Sequence, residues 1–149
     1  MDKPARILIV DDDETVTDAL EFVLLNNGYR VDVAANGREA IRKSEKAVYN
    51  VALIDIQLPD MDGTELLTRL KDTIPKIRKI ILTGHPSLQN AMESVNKDAD
   101  AYLMKPVDMD KLLELVCEQL KQQKAEKEYS EQKVVDFIET RVKEVTETE

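Results

Sequence analysis

Arg6-Ile-Leu-Ile-Val10 runs without a break into Asp11-Asp12-Asp13, and Val51-Ala-Leu-Ile54 runs into Asp55. Each is a short, apolar run that ends in acid. Continuous apolar runs of this length are what central parallel strands, covered on both faces, require. Two more segments follow the same plan. Lys79-Ile-Ile-Leu82 leads into Thr83, and Ala101-Tyr-Leu-Met104 leads into Lys105. Parallel strands of an α/β sheet deliver their carboxyl ends to one edge, and ligands bind in the crevice where the strand order reverses. These runs therefore predict an edge at which acids, a hydroxyl and an ammonium meet.

Outward from the strands, the hydrophobic period changes to that of helices. Val16, Ala19, Leu20, Val23 and Leu24 recur at helical spacing, and Asn26-Asn-Gly28 stops that helix. Tyr29 to Ala35 reads as a second strand whose Val31 and Val33 alternate with Arg30 and Asp32, the pattern of an edge strand with one wet face. Asn36-Gly37 opens a second helix through about Lys46. A third follows Asp62-Gly63 and buries Leu66, Leu67 and Leu70. A fourth carries Leu88, Ala91, Met92 and Val95, and a fifth Leu112, Leu113, Val116 and Leu120. Five strands alternating with five helices imply right-handed crossovers and a doubly wound parallel sheet. With the second strand at an edge, the order is 2-1-3-4-5, the flavodoxin-like arrangement, and the switch point falls between strands one and three. Asp11 to Asp13 and Asp55 sit there.

The chain has 149 residues, a formal net charge of −9 and one cysteine. That size accommodates one domain plus an appendage without disulfides or structural metal. A single Cys117 inside an apolar helical pattern reads as a small core residue, and suits a reducing cytoplasm. Its apolar runs fall short of the ~20 residues a membrane span needs, and Met1-Asp-Lys-Pro-Ala-Arg6 does not read as a signal peptide. The negative charge argues against nucleic acid and anionic lipid as partners.

Crowded carboxylates repel, and a cation must compensate them unless some are protonated. All-oxygen ligands suit a hard ion such as Mg²⁺ or Mn²⁺. Magnesium takes one or two carboxylates, which leaves one free to act as a nucleophile toward phosphorus. The charge of a transferred phosphoryl group is then met by the cation, by the Lys105 ammonium, and by the Thr83 hydroxyl with nearby N–H groups. An acidic run alone could equally mark a helix start, and Asp13 is assigned to that role; Asp55 at the switch point decides for the metal reading of Asp11 and Asp12. Gly63, after Pro59-Asp-Met-Asp62, sets a turn.

Four segments in this order resemble the signature segments of response-regulator receiver domains, the phosphoacceptor modules of two-component signalling. They are Ile7-Leu-Ile-Val-Asp-Asp-Asp13, Asp55-Ile-Gln-Leu-Pro-Asp-Met-Asp-Gly63, Ile81-Leu-Thr-Gly84 and Asp100-Ala-Tyr-Leu-Met-Lys-Pro106. The resemblance covers about residues 5–121. It implies that Asp55 accepts phosphate from the phosphohistidine of a histidine kinase or a histidine phosphotransfer protein. It implies direct Mg²⁺ coordination by Asp12, Asp55 and the main-chain carbonyl of Gln57, with Asp11 acting through water. Lys105 would pair with the phosphoryl group, across a cis bond to Pro106. Thr83 would move toward the phosphoryl oxygen, and Tyr102 would follow inward as the aromatic switch. The surface of the fourth helix, fifth strand and fifth helix would then repack for a downstream protein partner. Gln57 and His85 occupy the positions that tune acyl-phosphate lifetime.

The domain so defined spans residues 1–122, and 123–149 form a helical tail or linker with no separate output domain. In the tail, Val134, Ile138, Val142 and Val145 recur at near-helical spacing, with Val135 and Phe137 flanking, as an extension of the fifth helix or a sixth short one. Lys124, Lys127 and Glu131 fall on its seam and argue against a long coiled coil. From Gln123 to Glu149, eight acidic and five basic residues give −3, the wrong sign for DNA. A homodimer would use either the tail or the surface of the fourth helix, fifth strand and fifth helix. Three functions are carried forward: a stand-alone receiver, the receiver of a longer regulator, and an enzyme of the same architecture. Gln57 weakens the third, because it stands where aspartate-nucleophile phosphatases place a general acid. The expected chemistry is the chain's own phosphorylation and dephosphorylation only.

Overall fold

The computed structural model describes residues 3–85, 87 and 98–147. They form β1 (Arg6–Val10), α1 (Glu14–Asn26), β2 (Arg30–Ala34), α2 (Gly37–Lys46), β3 (Val51–Asp55), α3 (Gly63–Arg69), β4 (Arg78–Thr83), β5 (Ala101–Met104) and α4 (Met109–Glu147). Here α4 is the fifth helix of the sequence reading. The expected fourth helix, on Leu88 to Val95, lies outside the described residues. The five strands pair in parallel in the order β2-β1-β3-β4-β5, so the predicted α/β fold and its switch point are observed.

Strand alternation divides the core into two layers. Ile7, Ile9, Val51, Leu53, Ile80 and Leu82 pack with Leu20 and Leu24 of α1 and with Leu112 and Val116 of α4. Leu8, Val10, Ala52, Ile54 and Ile81 pack on the other face with Ala40 of α2 and with Leu66, Leu67 and Leu70 at α3. The central strands bury both sets, which is why they are apolar from Ile7, Val51 and Ile80 onward until the polar residues at their carboxyl ends. Each large aliphatic side chain so buried contributes about 1.5–3 kcal/mol relative to exposure.

Local signals act as read. The Asp13 carboxylate caps α1 through the Thr15 N–H at 3.0 Å, satisfying an otherwise orphaned donor. Gly28, with φ +86°, ends that segment in the left-handed region. Asn36 caps α2 by accepting from the Glu39 N–H, while Glu39 accepts from the Ala35 N–H.

The C-terminal helix departs from expectation at Cys117. Cys117 is exposed rather than packed. The docked face of α4 repeats through Leu112, Val116, Gln119 and Gln123, all buried, and residue 117 is rotated ~100° off that stripe. The tail extends the fifth helix, the first of the two alternatives read from the sequence: α4 runs unbroken from Met109 to Glu147, with hydrogen bonds to the sheet domain as far as Glu126. Arg78, at the start of β4, donates to Gln119 Oε1 at 2.8 Å, Gln122 Oε1 at 2.8 Å and Glu126 Oε1 at 2.9 Å. Gln123 donates to the carbonyls of Asn50 and Lys76 and accepts from the Asn50 amide. A polar clamp thus fixes the helix where its apolar stripe ends. Val134, Val135, Phe137, Ile138, Val142 and Val145, farther along, are exposed.

Candidate functional site

Strand parity builds the site. Continuing the alternation beyond Ile9, Leu53 and Leu103 brings Asp11, Asp55 and Lys105 to the carboxyl edge on the α1 and α4 face of the sheet. Oxygens of Asp11, Asp12 and Asp55 lie within 4.8 Å of one another. Lys105 Nζ bridges two of these acids, at 2.8 Å from Asp11 Oδ2 and 3.1 Å from Asp55 Oδ2. The Asp11 side chain is fully buried, that of Asp55 nearly so, and Asp12 is open to solvent. Asp11 also accepts from the Asp13 N–H at 3.0 Å, and Asp55 from the Gln57 N–H at 3.1 Å.

Burial is the largest influence on the Asp55 carboxyl and pushes its pKa up. The neighbouring Asp11 charge adds to this, against the Gln57 N–H and Lys105. Burial opposes the charge on Lys105, but the hydrogen bonds to Asp11 and Asp55 prevail and hold its pKa above the ordinary lysine value. One ammonium set against three clustered carboxylates leaves net negative charge at an all-oxygen donor set. That set fits a hard divalent cation. The residues that could hold it are Asp11, Asp12, Asp55 and the Gln57 carbonyl.

Thr83 ends β4 fully buried, and its hydroxyl accepts from the His85 N–H at 3.2 Å. Its carbonyl accepts from the Lys105 N–H at 2.8 Å, which ties the hydroxyl strand to the lysine strand. Tyr102 is half-buried on the opposite face of the sheet from Lys105, against the layer that contains Ile81. The side chains of Gln57 and His85 are both exposed. The Lys105–Pro106 bond is cis, as is Ile74–Pro75.

Two positioning features escaped the sequence reading. The Asp60 carboxylate accepts from the Gly37 N–H at 2.8 Å and the Arg38 N–H at 3.0 Å, pinning the loop after β3 to the start of α2. Met61 packs so closely on Gly37 that an added Cβ would lie 2.4 Å from its sulfur. Gly63 is similarly constrained: a Cβ there would lie 2.4 Å from the Asp55 carbonyl oxygen and 2.8 Å from Ile56 Cα. A glycine beside an Asn at a helix start was the available signal for the first feature. Nothing in the sequence named Asp60 as its partner.

A flavodoxin-like sheet with an acid cluster and a bridging lysine at its switch point defines the class of α/β module to which the chain belongs. The response regulator receiver domain family matches residues 7–117, and the chain belongs to that family. A CheY-like receiver domain protein from Methanospirillum hungatei JF-1 is 46% identical with a TM-score of 0.75, over 83% of this chain and 98% of that one. The chemotaxis response regulator CheY4 of Vibrio cholerae is 30% identical with a TM-score of 0.71, over 78% and 98%. The transcriptional regulatory protein ZraR of Klebsiella oxytoca is 41% identical over 106 residues, which are 71% of this chain and 24% of that protein. TrcR of Mycobacterium tuberculosis is 34% identical over 110 residues, 74% and 43%. The chain thus spans less than half the length of these curated relatives. Among the described residues, no helix is long and apolar enough to cross a membrane.

Proposed function

We propose that Asp55 is the phosphoacceptor and that it takes its phosphoryl group from a phosphohistidine of a histidine kinase or histidine phosphotransfer protein. The observation that carries this reading is the placement of Asp55 within reach of two further carboxylates and 3.1 Å from Lys105. An oxygen of the Asp55 carboxylate attacks phosphorus, the P–N bond breaks, and the histidine leaves with the electron pair. Asp11, Asp12, Asp55 and the Gln57 carbonyl would hold Mg²⁺ or Mn²⁺, which supplies charge neutralisation at a phosphoryl oxygen. Lys105 transfers its hydrogen bond from the Asp55 carboxylate to the new phosphoryl group. The Thr83 hydroxyl turns from the His85 N–H toward that group, and Tyr102 moves into the space behind it. Gln57 and His85, exposed beside the site, govern water access and hence the acyl-phosphate lifetime. The downstream reader is a protein that recognises the β5 and α4 surface in one of its two states.

Incubation with acetyl phosphate and Mg²⁺ tests the assignment. One phosphoryl group should add to the parent chain and none to Asp55→Asn. Label retained by that variant would place the acceptor elsewhere.

A further inference from the structure

The amino-terminal edge of the sheet, opposite the acid cluster, is cationic. Arg6 opens β1 and Arg30 opens β2, paired in register, and Lys3 lies just before them. The turns of α4 that follow Gln123 bring Lys124 and Lys127 to the same edge. These five side chains line a cavity of about 630 Å³, inside the ~300–1,000 Å³ range of small-molecule sites. Arg6 is compensated by Asp32 at 2.7 Å. Lys3, Arg30, Lys124 and Lys127 are exposed and make no ion pair among the described residues. The whole chain carries −9, so these four uncompensated cations run against the charge of the molecule. The acid cluster is remote from them. Five residues of β1 at ~3.3 Å each separate the two edges by about 16 Å, beyond the ~10 Å over which charges act at 0.1 M salt.

The floor of the cavity is fixed. The Asn50 side chain accepts from the Arg6 N–H at 2.9 Å and donates to Gln123 Oε1 at 3.1 Å. Gln123 in turn donates to the Asn50 and Lys76 carbonyls. These bonds hold the turn that carries Lys124 against the strand that carries Arg6 before any ligand arrives, which lowers the cost of binding. Part of the wall is apolar: Pro4, Pro75 and Val48, the last 65% exposed.

We propose that this cavity binds a nucleotide, whose phosphates meet Arg30 and the three lysines and whose flat ring lies on Val48 and the prolines. Cations spread over two elements call for more than one phosphate. An exposed apolar wall beside them calls for a ring that an inorganic anion lacks. Glu128 and Glu131 stand on the rim, one turn farther along α4, where they repel the next phosphates of a longer polyanion such as nucleic acid. Their i,i+4 attraction to Lys124 and Lys127 is weak at an exposed surface and yields to a multivalent anion. The bound phosphates join cations of the sheet to cations of the helix, so the ligand stiffens α4 around Lys124 to Glu131.

Calorimetric titration of the full chain in EDTA tests this, with ATP, inorganic tripolyphosphate and adenosine as probes. EDTA leaves the acid cluster without a cation, and the cluster then repels the same anions. One ATP per chain is expected, with a Kd below about 1 mM and tripolyphosphate about ten-fold weaker. Adenosine should not bind. Arg30→Glu and Lys124→Glu should each weaken ATP at least about ten-fold, the worth of one charged hydrogen bond. Lys121→Glu, on the same helix but off the cavity, should leave it within about two-fold. Thermal unfolding confirms that each variant is folded, and Lys127→Glu, on an exposed turn, replaces any that is not. ATP should also slow amide exchange from Lys124 to Glu131. No saturable binding, or binding indifferent to the charge reversals at Arg30, Lys124 and Lys127, overturns the proposal. Tripolyphosphate as tight as ATP removes the ring from the site and overturns the nucleotide assignment. Binding lost only with Lys105→Ala would place the anion at the carboxyl edge and overturn it equally.

Discussion

Lys105 Nζ sits 2.8 Å from Asp11 Oδ2, across 94 residues of sequence and between β1 and β5, which flank opposite sides of the central pair of strands. The Asp11 side chain has no exposed surface, and about a quarter of the Lys105 side chain is exposed. Without a bound cation, this ammonium is the charge that compensates a buried acid. The lysine at the strand end therefore has a structural role that its sequence position, read as facing an anion site, did not disclose.

Lys105→Ala should lower the stability of the cation-free protein by about 1–3 kcal/mol, the range for leaving a buried charged group without its partner. Millimolar Mg²⁺ should restore most of it, because the cation takes over compensation of the same acids. Thermal unfolding in EDTA and in Mg²⁺ separates the two effects. An unchanged melting temperature in EDTA would mean that Asp11 does not depend on the lysine.

Chelation should abolish labelling of Asp55 by acetyl phosphate. Asp12→Ala should weaken Mg²⁺ affinity by about ten-fold or more, since one of few charged ligands is lost. Titration of Mg²⁺ followed by the fluorescence of an attached probe or by chemical shifts gives the affinity. Full labelling in excess EDTA would remove the cation from the reaction.

Asp32 gives a pH signature remote from the site. Burial raises its carboxyl pKa, but the Tyr49 hydroxyl at 2.7 Å and Arg6 at 2.7 Å outweigh that and hold it below the ordinary value. An acid with a depressed folded pKa binds fewer protons than in the unfolded chain. Its stability is therefore present above the unfolded carboxylate pKa of about 3.9 and lost as pH falls through the folded one. Asp32→Asn should cost up to about 1 kcal/mol at pH 7, and the gap from the parent should close in acid. Urea unfolding at both pH values measures it; a gap that persists in acid would assign the cost to lost packing.

Gly63→Ala should destabilise the domain by about 1–3 kcal/mol through overpacking, because the added carbon meets the backbone of Asp55 and Ile56 rather than a flexible side chain. It should also slow phosphorylation, since the displaced backbone carries the acceptor. Normal kinetics at normal stability would show that the loop gives way freely.

Arg78→Ala should cost about 1–3 kcal/mol by stranding the buried Gln119, and should raise amide exchange in α4 from about Gln119 onward. Exchange confined to residues beyond Glu126 in both proteins would place the anchor of the helix elsewhere.

Strand order and the carboxylate cluster were legible because both depend on local pattern. Apolar runs ending in Asp11 and Asp55 mark strands and their edge at once, and the alternating Val31 and Val33 mark the edge strand. What stayed hidden depends on contacts between distant polar residues. Gln119, Gln123 and Arg78 are polar in composition yet buried, since each finds its partner across the fold. Asp60 drew no reading from the sequence because its partners, Gly37 and Arg38, lie more than twenty residues away at the start of α2. Cys117 was misplaced for a simpler reason: an apolar neighbourhood in sequence does not fix which side of the helix a residue takes.

The Arg78 clamp also has a mechanical consequence. From Glu126 to Glu147 the helix extends about 32 Å at 1.5 Å per residue, while β4 holds Arg78 at one end and Thr83 at the other. A stiff arm pivoting at its root magnifies small rotations: a tilt of ~5° at the clamp sweeps the far end through about 3 Å. That displacement is comparable to a side-chain contact distance. Any adjustment of β4 that tilted the helix at Arg78 would be enlarged in the same proportion at its far end.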